Sequence, residues 1–362
     1  MRQLRHSDWL HREIEKITPI SEEWISKAKK RLNSLVKPKG SLGRLEEIAE
    51  RIVAIREEER PSINKRAIFV FASDHGVVEE GVSAYPQDVT KGMVKNFLKG
   101  VAGINALARE EGADVYVVDI GVNGKIDEQS PYFLDRKIRN GTENILKGPA
   151  MSREEAEEAI CVGMEIADMA KENGIDMIAG GDMGIGNTTA SSAIFCAILG
   201  LDPEDIVGRG TGIDDERLRK KKEIVKRVLE RNREAIKRGD PIEILSLMGG
   251  LEIAGICGLF LGGAKNRFVV LADGFISCAG ALLAMEIKPE VKDYIFFSHC
   301  SAERGHRLFF EKIKERPLLD LDMRLGEGTG AAIAMHIIDC AIRVYNEMAT
   351  FEEVGIKAGH EI

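Results

Sequence analysis

Residues 175–199, IDMIAGGDMGIGNTTASSAIFCAIL, run from a short apolar stretch through a glycine turn into a longer stretch rich in small and apolar residues. That is the pattern of strand, turn and helix. It recurs with AIFVFASDHG, VYVVDIG, FVVLADG and YIFFSHCS, where β-branched or aromatic runs end in a polar or glycine turn and pass into helix-like sequence. Near-continuous apolar strands alternating with helices predict βαβ units around a parallel sheet covered on both faces. The expected fold class is therefore α/β: a Rossmann-like parallel sheet flanked by helices over residues 66–330.

The chain ends read differently. Residues 1–65 read as helical: Ser21 can cap SEEWISKAKKRLNSLV, with Glu22 and Glu23 in its first turn. In LEEIAERIVAI, Leu45, Ile48, Ile52 and Ile55 share one helical face. Residues 331–362 are expected to be a helical part that packs with the N-terminal helices, so that the two ends form a smaller helical domain. Segment 249–264, GGLEIAGICGLFLGGA, suits either a buried helix packed closely through its small residues or a subunit interface.

A chain of 362 residues with 44% hydrophobic content can bury a sizeable core. A formal charge of −8 argues against nucleic-acid binding, which needs clustered Lys and Arg to neutralise phosphates. Cysteines 161, 196, 257, 278, 300 and 340 form no CxxC pair and fit small buried hydrophobes in a reducing cytoplasm. The charged N-terminus has no signal-peptide core, and no apolar run reaches the roughly 18 residues of a membrane span. A cytoplasmic protein with no nucleic-acid or membrane partner is expected.

Ligands of open parallel sheets bind outside the carboxyl ends of the strands. Acids collect there: Asp74, Asp119, Asp182 and Asp273 each end an apolar run. Gly181, Gly186, Asn187 and Thr188 have P-loop spacing, but Asn187 stands where a P-loop has its phosphate-gripping lysine. Backbone N–H groups at a helix start can still hold a monophosphate. Asp182 would repel a phosphate beside it, so its role points to ribose hydroxyls or a cationic ring. A second loop, residues 208–215, precedes RLRKKKEIVKRV, from which Lys221 could turn back to the cleft.

The loop MRLGEGTG places Glu327 between glycines ahead of an apolar helix. A carboxylate in a partly apolar pocket has a raised pKa, as a general base near neutral pH requires. His75, His299 and His306 form no metal motif, and no nucleophile elbow or Cys–His pair stands out. No metal and no cofactor are expected. A nucleotide kinase or ATPase, or a non-catalytic nucleotide-binding module, is the alternative.

KPKGSLGRLE, DHGVVEEGVSAYPQDVT, GDMGIGNTTASS, LADGFIS, SHCSAERG and MRLGEGTGAA occur in this order across residues 37–332. Together they closely resemble the nicotinate-nucleotide:dimethylbenzimidazole phosphoribosyltransferase family. The resemblance implies transfer of the phosphoribosyl group of nicotinate mononucleotide to a benzimidazole-type base, in cobalamin nucleotide-loop assembly, by a homodimer, and the glycine-rich segment 249–264 is the candidate for part of its interface. It implies that Glu327 takes the proton of the incoming base. Asp182 stands where the family usually has glutamate and contacts the nucleotide; Gly184 gives a backbone contact to the phosphate-bearing ligand, and Lys221 matches a family lysine in the cleft. Asp273 and Ser301 fall on nucleotide-side positions, and Tyr85, Met93 and Leu325 near the wall for the aromatic base.

Overall fold

The five apolar runs form strands because each is short, β-branched or aromatic, and closed by a turn. In the computed structural model, which describes residues 3–356, they are β1 (Arg66–Ser73), β2 (Asp114–Gly121), β4 (Met177–Met183), β5 (Val269–Ala272) and β6 (Ile295–Phe297). A further edge strand, β3 (Phe133–Asp135), has only three residues, none fully buried, and carries too little pattern to be read from sequence. All pairs are parallel, in the order β3-β2-β1-β4-β5-β6. This is the strand order of doubly wound nucleotide-binding sheets, and it reverses direction between β1 and β4. The crevice outside the carboxyl ends at such a reversal is where these sheets bind ligands.

Three helices, Gln3–Ile14, Glu22–Ser34 and Arg44–Arg56, precede the sheet. Ser21 caps the second, its hydroxyl accepting the Trp24 N–H at 3.4 Å. Ile48, Ile52 and Ile55 bury the apolar face of the third. The chain ends meet: the Arg31 guanidinium donates to the carbonyls of Tyr345, Asn346 and Met348, and Leu35 bridges Thr350 in antiparallel fashion. The last long helix, Thr329–Glu347, starts before residue 331 and packs on the sheet as well as on the Arg44–Arg56 helix. Residues 357–362 of the expected helical tail lie outside the described residues.

The glycine-rich segment corrects one expectation. Helix Leu251–Lys265 is buried within this one chain from Leu251 to Ala264, so it has no face left for a subunit interface. Its glycines serve an internal crossing. A Cβ on Gly258 would overlap the Ile160 carbonyl, and one on Gly163 the Gly255 carbonyl, so this helix and Arg153–Glu172 touch backbone to backbone. Gly258→Ala must therefore push two main chains apart. We expect it to cost at least about 1–3 kcal/mol, as overpacking does, measured as a lowered Tm; an unchanged Tm would show that the crossing is not tight.

The cysteines are all free, five of them buried and Cys340 half-buried. Cys257 and Cys278 lie in the central helices Leu251–Lys265 and Phe275–Ile287, Cys161 in Arg153–Glu172 and Cys196 in Asn187–Leu199. Among the described residues no helix is long and apolar enough to cross a membrane.

Candidate active site

A cavity of about 550 Å³ opens at the carboxyl edge of the sheet. It is lined by five residues between Val82 and Met93 after β1, by 182–188 at the end of β4, by Gly210 and Thr211, by 274–276 after β5, by His299, Ser301 and Glu303 after β6, and by 324–327. Loops from four strands thus converge at and beside the reversal point, and the volume is in the range of small-ligand sites.

Glu327 is held in this cavity by strain and by clamps. It adopts a left-handed backbone (φ 64°) between Gly326 (80°) and Gly328 (95°), a conformation costly for a residue with a side chain. Asp273, at the end of β5, holds the loop: its carboxylate accepts the N–H groups of Gly328 (3.1 Å) and Ala331 (2.9 Å). Gly181 in β4 lets the loop lie on the sheet, since a Cβ there would overlap the Glu327 carbonyl. The Glu327 carboxylate accepts the N–H of Ile104 at 3.1 Å, in the first turn of helix Gly103–Glu110. Burial pushes its pKa above the ordinary carboxylate range, with the Asp273 charge adding and the Ile104 N–H opposing. A carboxylate raised in this way is a stronger base than an exposed one, which is what taking a proton near neutral pH requires.

Asp182 faces the same loop: a Cβ on Gly326 would lie 3.2 Å from its Oδ1. One oxygen accepts the Asn187 side-chain N–H at 2.9 Å, while Oδ1 has no partner. Burial raises its pKa well above the usual value, and the charges of Asp273, Glu252 and Glu327 raise it further. A carboxyl that holds its proton more tightly when folded contributes stability below its unfolded pKa and loses it as pH rises through the folded one. Asp182→Asn should therefore stabilise the fold more at about pH 8 than at about pH 5, read as a larger rise in Tm at the higher pH, while lowering turnover. A lower Tm at the higher pH would remove this account.

The remaining expected residues divide into wall and support. Tyr85, Met93, Gly184, Gly186, Asn187, Thr188, Ser301 and Leu325 all line the cavity. Gly186 caps helix Asn187–Leu199 with φ 99°, and Gly184 lies against the Ser73 carbonyl and His75 ring. Asn187, which spacing placed at the P-loop lysine position, is tied to Asp182. Lys221 is fully buried behind the wall; its Nζ donates to Thr188 Oγ1 (2.8 Å) and the Gly208 carbonyl (3.2 Å). Burial lowers its pKa to about 8, with Glu303 opposing.

Three acids at the sheet edge act elsewhere. Asp273, expected on the nucleotide side, is fully buried with its oxygens spent on the Glu327 loop; it positions that loop and does not line the cavity. Asp74 and Asp119 brace turns, accepting the N–H groups of Asn123 (2.7 Å) and Val122 (2.9 Å), and Asp119 pairs with Lys137 at 3.1 Å.

Sequence reasoning missed a buried pair beneath the glycine turn, His75 Nε2 and Glu252 Oε1 at 2.7 Å. The lone acid in the apolar run GGLEIAGICG was its signal, because an isolated charge in a core helix needs a partner. Glu303 carried no signal in the sequence, and His299 was weighed only as a metal ligand; both are on the cavity wall.

A doubly wound parallel sheet with glycine turns, helix starts and a strained carboxylate around one cavity at its reversal point defines an α/β enzyme of the nucleotide-handling class. Residues 17–356 match the family model described as phosphoribosyltransferase, and the chain belongs to that family. It is 53% identical over 348 residues to the nicotinate-nucleotide–dimethylbenzimidazole phosphoribosyltransferase of Geobacter metallireducens, covering 96% of this chain and 98% of that protein. The protein of the same name from Chlorobaculum tepidum is 47% identical over 348 residues, covering 96% and 98%. The solved structure of the enzyme of that name from Thermus thermophilus superposes with a TM-score of 0.88 at 45% identity, covering 94% of this chain and all of that one.

Proposed function

We propose that this enzyme transfers the 5-phosphoribosyl group of nicotinate mononucleotide to dimethylbenzimidazole or a related base, giving α-ribazole 5′-phosphate and nicotinate. The observation that carries the reading is Glu327, a buried and strained carboxylate with a raised pKa, opposite Asp182 in one cavity. One ring nitrogen of the incoming base attacks the anomeric carbon while Glu327 takes the proton from the other. The bond from that carbon to the pyridinium nitrogen breaks, and its electron pair returns to the ring, so nicotinate leaves with its positive charge cancelled. Asp182 faces the cationic side of the riboside; the bound pyridinium favours ionisation of this buried carboxyl, which then stabilises the positive charge that develops on the sugar. Gly184, Gly186, Asn187, Thr188 and Ser301 hold the phosphate and ribose. Lys221 supports that wall through Thr188, and Tyr85, Met93 and Leu325 form the slot for the base. Aligning two bound reactants can remove on the order of 7–11 kcal/mol of barrier.

The proposal includes a homodimer in the cytoplasm. Free, buried thiols support a reducing compartment, and Tyr85 and Leu325, 55% and 60% exposed at the cavity rim, support a second copy. Light scattering tests the dimer. For the activity, purified protein is mixed with nicotinate mononucleotide and dimethylbenzimidazole and the products are separated by chromatography. Free nicotinate and α-ribazole phosphate should form in equal amounts; neither forming with any benzimidazole or purine base would end the proposal.

A further inference from the structure

His299 follows β6 and lines the cavity, yet it is only 1% exposed and neither ring nitrogen has a hydrogen-bond partner. Buried polar side chains nearly always have a partner. Two unmet nitrogens on a cavity wall leave that partner to a ligand.

The surroundings are built to hold this ring and to favour negative charge beside it. A Cβ on Gly330 would collide with Nδ1, and one on Gly274 would lie 3.0 Å from Cε1, so two glycines make the slot. Both stand at helix starts: Gly274 caps Phe275–Ile287, and Gly330 is in the first turn of Thr329–Glu347. Helix N-termini carry unpaired N–H groups and partial positive charge. Phe275 and Ile276, in the first turn of one of them, line the same cavity. Asp273 Oδ1 lies 3.9 Å from His299 Nδ1, outside hydrogen-bond reach, so it does not supply the missing partner. His306 packs edge-on with ring centroids 6.5 Å apart; burial lowers its pKa to about 3, so it adds no competing charge. Glu303 is the remaining acid on this wall.

We infer that His299, with the N-terminus of helix Phe275–Ile287, binds an oxyanion of the riboside, first of all its 5′-phosphate. The inference rests on the function proposed above. The ring carboxylate of nicotinate has the same chemistry, so the test separates the two.

His299→Asn and His299→Gln are compared with the unaltered protein by calorimetry against nicotinate mononucleotide, nicotinate riboside and nicotinamide mononucleotide. Loss of a charged hydrogen bond should weaken nicotinate mononucleotide about ten- to hundredfold, with dimethylbenzimidazole binding unchanged. A defect that vanishes with the riboside assigns the phosphate; one that vanishes with the nicotinamide nucleotide assigns the ring carboxylate and still supports an oxyanion site. An equal defect with all three, or none, overturns the inference. Should neither variant fold, sulfate binding to the unaltered protein decides: sulfate should bind and compete with nicotinate mononucleotide but not with dimethylbenzimidazole, and no binding, or binding without that competition, overturns the inference. Sulfate binding that behaves this way without any turnover would sink the proposed reaction and leave the oxyanion site standing.

Discussion

Glu327→Gln is expected to lower kcat by about 10²- to 10⁴-fold, the usual contribution of a general base, while nicotinate mononucleotide binds nearly as before. The amide keeps the shape of the side chain and an oxygen to accept the Ile104 N–H, so the loop has no reason to move. What disappears is the only function the replacement cannot perform, proton acceptance. In the unaltered enzyme the raised pKa of Glu327 places an acid limb in the pH–rate profile above the ordinary carboxylate range. Activity falls as pH drops through that limb, because the protonated side chain cannot act as a base. Turnover by the variant within a few-fold of the unaltered enzyme would end the mechanism.

Asp273→Asn should be the most damaging change outside the cavity. The carboxylate accepts two backbone N–H groups, from Gly328 and Ala331, and the amide can accept at only one oxygen. One N–H is left unpaired in a fully buried site at about 1–3 kcal/mol, and the strained φ of Glu327 loses the clamp that maintains it. A base displaced by about 1 Å loses on the order of 10²-fold in rate. We expect a lowered Tm and a kcat defect of that size with KM for nicotinate mononucleotide little changed. A defect confined to KM would instead mean that Asp273 reaches the nucleotide.

The difference between these two residues shows what the sequence carried. Strand runs were legible because β1, β4 and β5 each carry a short apolar run that ends in a glycine or acid turn, and the turns fall at the sheet's carboxyl edge by topology alone. Glu327 was legible because flanking glycines expose it. Asp273 was legible as an acid at that edge, but not as a clamp: its partners lie 55 and 58 residues away, and only folding brings them together. The same holds for His75 and Glu252, 177 residues apart. Segment 249–264 was ambiguous because close backbone packing selects small apolar residues whether the partner helix is in the same chain or another. Asp74 and Asp119 resembled Asp182 in sequence, and only the backbone N–H groups that the folded turns bring to the first two, those of Asn123 and Val122, separate loop braces from cavity wall.

The interior thiols have a practical consequence. Burial pushes Cys161 and Cys196 up to about 12 and Cys257 and Cys278 higher still, so at neutral pH almost none is in the reactive thiolate form while the chain is folded. An alkylating reagent meets them only when the surrounding layer opens. Because they lie in four different helices, peptide-by-peptide labelling rates would time how each part of the interior breathes, with no probe having to be introduced.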